Sequence, residues 1–145
     1  MVIVTIFSLS GCTSFVSGHE LGVTLDYIKK IIRVEVINTV VPIDHTTRYI
    51  EHNDKYFSNA MDIVQRIVEK MQLKKKIRIV ANKAFIINVI YDDNTKLSLV
   101  GLSEGKLYEE VLWFKINDNW YKSNLLKYDY LYPLIEFLHT EEQVE

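Results

Sequence analysis

Phe85-Ile86-Ile87-Asn88-Val89-Ile90-Tyr91-Asp92-Asp93-Asn94-Thr95-Lys96-Leu97-Ser98-Leu99-Val100-Gly101-Leu102 is the stretch that decides the fold class. Two β-branched and aromatic runs, Phe85 to Tyr91 and Leu97 to Leu102, flank the turn formers Asp92 to Thr95, which is the pattern of a hairpin. The same pattern extends in both directions. Ile77 to Ala81 precedes it across Asn82-Lys83, and Leu107 to Ile116 follows it across Ser103-Glu104-Gly105-Lys106. Asn117-Asp118-Asn119 then turns the chain into Trp120-Tyr121-Lys122. Connections this short require antiparallel neighbours, because a parallel crossover takes about a dozen residues or more. A meander is predicted.

Upstream, residues 29–38 place Ile32, Val34 and Val36 on one face and Arg33 and Glu35 on the other, as in a half-buried strand. Val40-Val41-Pro42 interrupts it, and a short edge strand is predicted around Arg48 to Glu51. Between these and the meander, a helix is predicted from Tyr56 to Leu73. Phe57, Met61, Val64, Val68 and Met71 form its apolar stripe, widened by Ala60 and Ile67. Asn53 or Asp54 caps its start in this reading, and Lys70 with Lys74 to Lys76 complements the dipole at its end. A last helix is predicted to start near Asp129 or Pro133 with Leu134, Ile135 and Leu138 inward, and the acidic residues 141–145 to fray. The expected fold is α+β: an antiparallel meander sheet of about five to six strands, one face covered by the long helix and a C-terminal helix.

The 145 residues suit one domain, and 48% apolar residues with five Gly and two Pro exclude a disordered or low-complexity chain. A formal charge of −2 gives no global attraction for nucleic acid. One cysteine excludes an internal disulfide framework and a four-cysteine zinc module. HExxH, GxxxxGK[ST] and GxGxxG are missing, which disfavours the zinc-protease and common nucleotide-binding classes. No cofactor is expected.

Charge is unevenly placed, since the first formally charged side chain is Glu20. A helix over residues 1–10 would span roughly 15 Å, half of a hydrocarbon core of about 30 Å, so it is too short to be an anchor. Met1 to Leu9 has instead the length of a signal-peptide apolar region. Leu9-Ser10-Gly11-Cys12 follows it and resembles the lipobox of bacterial lipoproteins. The resemblance covers four residues and the apolar run before them. It implies that Cys12 is acylated through its thiolate and becomes the mature N-terminus, with small Ser10 and Gly11 admitting the peptidase. A signal of this kind normally opens with Lys or Arg, so the start is expected upstream of Met1 or the chain is truncated. The division that follows is residues 1–11 as signal-like segment, 12–26 as tether and 27–145 as the α+β domain. The function implied is a membrane-tethered, extracytoplasmic lipoprotein carrying a non-catalytic domain that binds a protein or cell-envelope component. The alternative is a soluble cytosolic ligand-binding domain or enzyme, with Val2 to Phe7 as a core strand.

Asp44-His45 and Glu51-His52 match no zinc-ligand spacing, so no metal is expected. Asp92-Asp93-Asn94 lacks the Gly and distal Glu of a calcium loop and is read as a hairpin tip. Lys70, Lys74 to Lys76 and Arg78 form a basic run, read as a solvated helix end; nucleic acid is not expected as a partner. In a tethered protein the run suits anionic lipid or cell-wall polymer. Trp120, Tyr121 and Tyr130, from an aromatic cluster that also holds Tyr128 and Tyr132, are candidate partner-binding residues. The favoured role of that cluster is to close the sheet against the last helix.

Overall fold

The structure is a computed structural model and describes residues 14–41, 44–77, 84–106 and 109–134. In chain order its elements are β1 (Val16–Ser17), β2 (Ile31–Val41), β3 (Asp44–Glu51), α1 (Phe57–Lys70), β4 (Gln72–Lys76), β5 (Ala84–Tyr91), β6 (Lys96–Glu104), β7 (Val111–Ile116) and β8 (Asn119–Leu126). A 3-10 turn at His19–Leu21 and a helical stretch at 127–134 complete it. The fold is α+β with an antiparallel sheet. That sheet has eight strands in the order β1-β4-β8-β7-β6-β5-β2-β3, every neighbouring pair antiparallel.

Turn chemistry sets the central register. Asn117 and Asp118 both take positive φ (51° and 66°), as a two-residue hairpin with the twist of its strands requires, and Ile116 pairs with Asn119 across them. At the β5–β6 tip Asn94 is left-handed (φ 69°) and the Thr95 N–H donates to Asp93 Oδ1 at 3.0 Å. On β8 the register shifts opposite Val111 to Trp113. Ser123 satisfies that bulge, its hydroxyl donating to the Leu112 carbonyl (2.7 Å) and accepting from the Leu125 N–H (3.0 Å).

Strand alternation gives the sheet two unlike faces. Val34 and Val36, Phe85, Ile87 and Val89, Leu99, Leu112 and Phe114, and Tyr121 and Leu125 turn to one side and enter the main core. Ala60, Ile63, Val64, Ile67 and Val68 of α1 and Leu131 and Leu134 of the last helical stretch lie in the same cluster. Each buried Val or Ile of that stripe contributes roughly 1.5–3 kcal/mol. The opposite face carries Arg33, Glu35, Asn88, Ser98, Lys115, Trp120 and Lys122, and its buried apolar members Ile90, Leu102 and Trp113 lie outside the main cluster.

One row of the inner face cannot be built from ordinary side chains. Phe85, Gly101 and Phe114 are direct neighbours on β5, β6 and β7. The two phenyl rings meet edge to face above the glycine, with centroids 5.9 Å apart and planes at 88°. A Cβ on Gly101 would collide with the Trp113 carbonyl oxygen and lie 2.6 Å from Phe85 Cζ.

Several expectations are corrected. The sheet has eight strands rather than five to six, because β1 and β4 extend it on one side and β3 is eight residues long rather than a short edge. The helix ends at Lys70 rather than Leu73: Met71 turns extended (ψ 130°), and Gln72–Lys76 becomes a strand on β8. Lys74 to Lys76 are therefore strand residues, not a helix tail. Asp54 does not cap α1 directly but accepts from the Tyr56 N–H (2.8 Å) in the turn before it. The strand expected at Ile77 to Ala81 is not seen at Ile77, which is a bend; 78–81 lie outside the described residues, as do Ile135 and Leu138.

Residues 14–26 are no loose tether in the part described. β1 pairs with β4, and Val23 and Leu25 are buried in the core. Gly18 is buried where Met71 packs, 2.5 Å from Met71 Sδ to a would-be Cβ. Ser17 and Glu20 form a reciprocal capping box: the Glu20 N–H donates to Ser17 Oγ (3.1 Å) and the Ser17 N–H to Glu20 Oε1 (3.4 Å). Farther on, the Asp26 N–H donates to the buried Tyr91 hydroxyl at 2.9 Å.

Gly101→Ala is expected to lower unfolding stability by about 3 kcal/mol, since neither a backbone carbonyl nor a stacked ring can yield cheaply. Urea unfolding measures it, and a loss below about 0.5 kcal/mol would show that the row tolerates a side chain.

Candidate functional site

The lead segment does more than add an edge strand, because it stands off the end of α1 and encloses a cleft. Ser17, His19, Val23, Thr24, Leu25 and Tyr27 line one side and Val68 and Glu69 the other, around about 490 Å³. Val23, Leu25 and Val68 are buried and form an apolar floor. The rim is polar: His19 and Glu69 are exposed, and the Tyr27 hydroxyl donates to Glu69 Oε2 at 3.2 Å across the opening. Tyr27 is 65% exposed and the adjacent Ile28 97%, so apolar surface continues outside the mouth.

The one hydroxyl near His19 in sequence, Ser17 Oγ, is engaged with Glu20 Oε1 (3.2 Å) and the Glu20 N–H. At the cleft the hydroxyls of Ser17 and Tyr27 are each bonded to a carboxylate, Glu20 Oε1 (3.2 Å) and Glu69 Oε2 (3.2 Å), and His19 is bonded to neither. An apolar floor with a carboxylate and an imidazole at the rim can hold an amphipathic ligand, body down and polar group outward.

The cleft wall is clamped at its far end. Lys29 Nζ pairs with Asp93 Oδ2 at 2.9 Å, donates to Thr95 Oγ1 at 3.0 Å and sits 5.6 Å from the Tyr91 ring centroid. The hydrogen bond from Lys29, aided by the Thr95 hydroxyl and N–H, holds the Asp93 carboxyl well below the usual carboxylate range. The same bond raises the Lys29 ammonium pKa.

A second polar group crosses the outer face, but its members are spent on one another. Ser98 Oγ donates to Asn88 Oδ1 (2.6 Å), Asn88 Nδ2 to Glu35 Oε1 (3.2 Å) and Arg33 Nε to Glu35 Oε2 (3.2 Å). Arg33 also reaches Glu51 (3.7 Å) and lies 5.4 Å from the Tyr49 ring centroid. This row ties β6, β5, β2 and β3 together and reads as structural. Elsewhere on that face, Trp113 Nε1 is buried with no hydrogen-bond partner among the described residues.

The candidates named from sequence do not form one site. Trp120 is half-buried on the outer face and Tyr121 is buried in the inner core, one residue apart on opposite sides of β8. Tyr130 packs against the core, while Tyr128 and Tyr132 stack on each other at 5.8 Å and are half-exposed. Cys12 with Leu9, Ser10 and Gly11, the alternative strand Val2 to Phe7, and the side chain of His45 lie outside the described residues. Among those described, no three His, Cys, Asp or Glu residues gather as metal ligands, and no helix is long and apolar enough to cross a membrane. The cleft itself escaped the sequence reading, although Ser17-x-x-Glu20 is a capping signature that marks local structure where a tether was expected. No protein-family model, curated protein or solved structure matches this chain.

Asp93 has a depressed pKa, so its contribution to stability is complete above the ordinary carboxylate range near 3.9 and is lost as pH falls through the lower folded value. Asp93→Asn is therefore expected to flatten the stability–pH curve between about pH 5 and 2 relative to the unaltered protein. Identical slopes in acid urea titrations would contradict the clamp.

Proposed function

We infer that the protein is a lipid-anchored, extracytoplasmic lipoprotein, acylated at Cys12, whose domain binds a protein or cell-envelope ligand without transforming it. The observation that carries the reading is the apolar run ending in Leu9-Ser10-Gly11-Cys12 just ahead of Val16, where the first strand begins. Diacylation of a cysteine supplies the paired chains that stable anchoring needs. In this reading α1 and the last helix cover the inner face of the sheet. The cleft bounded by Tyr27 and Glu69 is then the ligand site, and the outer face is left for the surroundings of the anchor.

The cleft supports a binding role through its apolar floor, which can bury the body of a ligand. It also favours an amphipathic ligand over a strongly charged one. The rim holds one carboxylate and one imidazole, which together present no strong field.

Metabolic fatty-acid labelling tests the anchor, with the gene expressed from its own locus so that whatever precedes Met1 is intact. The unaltered protein is expected to carry label and sediment with membranes; Cys12→Ala is expected to lose both. Equal labelling of the two, or label in neither, would contradict the reading.

A further inference from the structure

β4 and β8 place a set of lysines on the outer face with no acid among them. Lys74 is the direct neighbour of Lys122, and Lys76 of Trp120, which in turn neighbours Lys115 on β7. Direct neighbours across antiparallel strands point to the same side, so Lys74, Lys76, Lys115, Lys122 and Trp120 share one surface. With strands about 4.8 Å apart and same-face residues about 7 Å apart along a strand, the four ammonium stems rise from an area roughly 10 by 7 Å. Lys76, Lys115 and Lys122 are exposed, and none of the four lysines forms an ion pair among the described residues. On β6 the acid of this face, Glu104, stands one row farther along, beside Val111.

Such a grouping is costly by itself. Like charges directly opposite across two strands repel, as Lys74 and Lys122 do. The chain as a whole is slightly acidic, with formal charge −2, so the patch is not one sample of a basic surface. Concentrated cations without internal counter-charge are complementary to an external anionic surface.

The position of the patch selects that surface. Phe15 is half-exposed, with Lys74 Nζ 5.8 Å from its ring centroid, so the chain arrives at the domain on the lysine side. Cys12 lies three residues before Phe15, a reach of roughly 10 Å at most. An acyl group on Cys12 would let this face come within a Debye length, about 8 Å, of the headgroups. Phe15 and the fully exposed Ile77 flank the lysines with apolar surface, and Trp120 adds an amphipathic ring of the kind that sits at headgroup level.

We propose that Lys74, Lys76, Lys115 and Lys122, with Trp120 and Phe15, form a docking face for the anionic phospholipid headgroups of the membrane in which Cys12 is anchored. This rests on the lipoprotein reading for its geometry, although the electrostatic contact itself requires no acyl group. Two points of attachment, the acyl chains and the lysine face, fix the orientation of the domain. The cleft, bounded by the capping turn and the end of α1, is then held at a constant height above the bilayer.

The test uses the full chain carrying Cys12→Ser, so that charge is read without acylation. Vesicles of phosphatidylcholine alone and with about 30% phosphatidylglycerol serve as the probe, and the readout is the ratio of the two affinities, which cancels any charge-independent insertion. Each lysine near the surface is worth about a fivefold change. A ratio of a hundred or more is expected at low salt, falling steeply by 0.5 M salt. Lys76→Gln with Lys115→Gln should lower it more than tenfold, whereas the charge-matched pair Lys30→Gln with Lys55→Gln should change it less than twofold. A ratio near one, equal effects of the two pairs, or a preference for soluble polyphosphate over the vesicles would overturn the proposal. Absence of fatty-acid label on the unaltered protein, with the ratio and its lysine dependence intact, would instead overturn the anchor alone.

Discussion

No side chain fits at Gly101, and the sheet is organised around that vacancy. The Trp113 carbonyl and the Phe85 ring occupy the space a Cβ would need, and Phe85 and Phe114 meet edge to face across β6. Their contact fixes three strands in register at once, because a slip of one residue would carry every inner side chain to the outer face. The rest of the core is built outward from this row. Tyr121 continues it on β8, and the Asn117-Asp118 turn and the Ser123 bulge adjust β8 to it, with Ser123 bonding the Leu112 carbonyl and the Leu125 N–H.

The second constraint is smaller and has the larger functional consequence. Gly18 lets Met71 approach the backbone, the capping box of Ser17 and Glu20 stiffens the turn beside it, and Tyr91 and the Lys29–Asp93 pair fasten the segment downstream. Fixed at both ends, the segment becomes one wall of a cleft. It also delivers the chain from Cys12 to the sheet at the edge where the lysines stand. The same few contacts thus place a candidate ligand site and a candidate membrane face on different sides of one small domain.

The central hairpins were legible in the sequence because their signals are local: β-branched runs of strand length separated by residues that accept positive φ. The α1 stripe was legible for the same reason. What failed was the boundary at Met71. Met71 continues the apolar spacing of α1, yet the chain there leaves the helix, and Leu73 is buried because β4 pairs with β8, a partner some fifty residues away. Only that pairing converts Lys74 to Lys76 from a solvated helix end into a strand whose alternate lysines face one way. Trp120 and Tyr121 illustrate the opposite case, since two adjacent strand residues must point to opposite faces. The period of two already excluded them from a single patch. The cleft was illegible because it arises where a segment without periodicity meets a helix end, and the Ser17-x-x-Glu20 signature marks a turn but not what it packs against.

The account is tested most directly by the orientation of the acylated protein on a bilayer. In nanodiscs containing phosphatidylglycerol and a small fraction of gadolinium-chelating lipid, paramagnetic broadening of amide resonances reports which face lies nearest the headgroups. Broadening is predicted first at residues 74–76, 115 and 120–122, with α1 and the Asp92–Thr95 turn spared at the same lipid ratio. Broadening that begins at α1, or that is uniform over the domain, would contradict it.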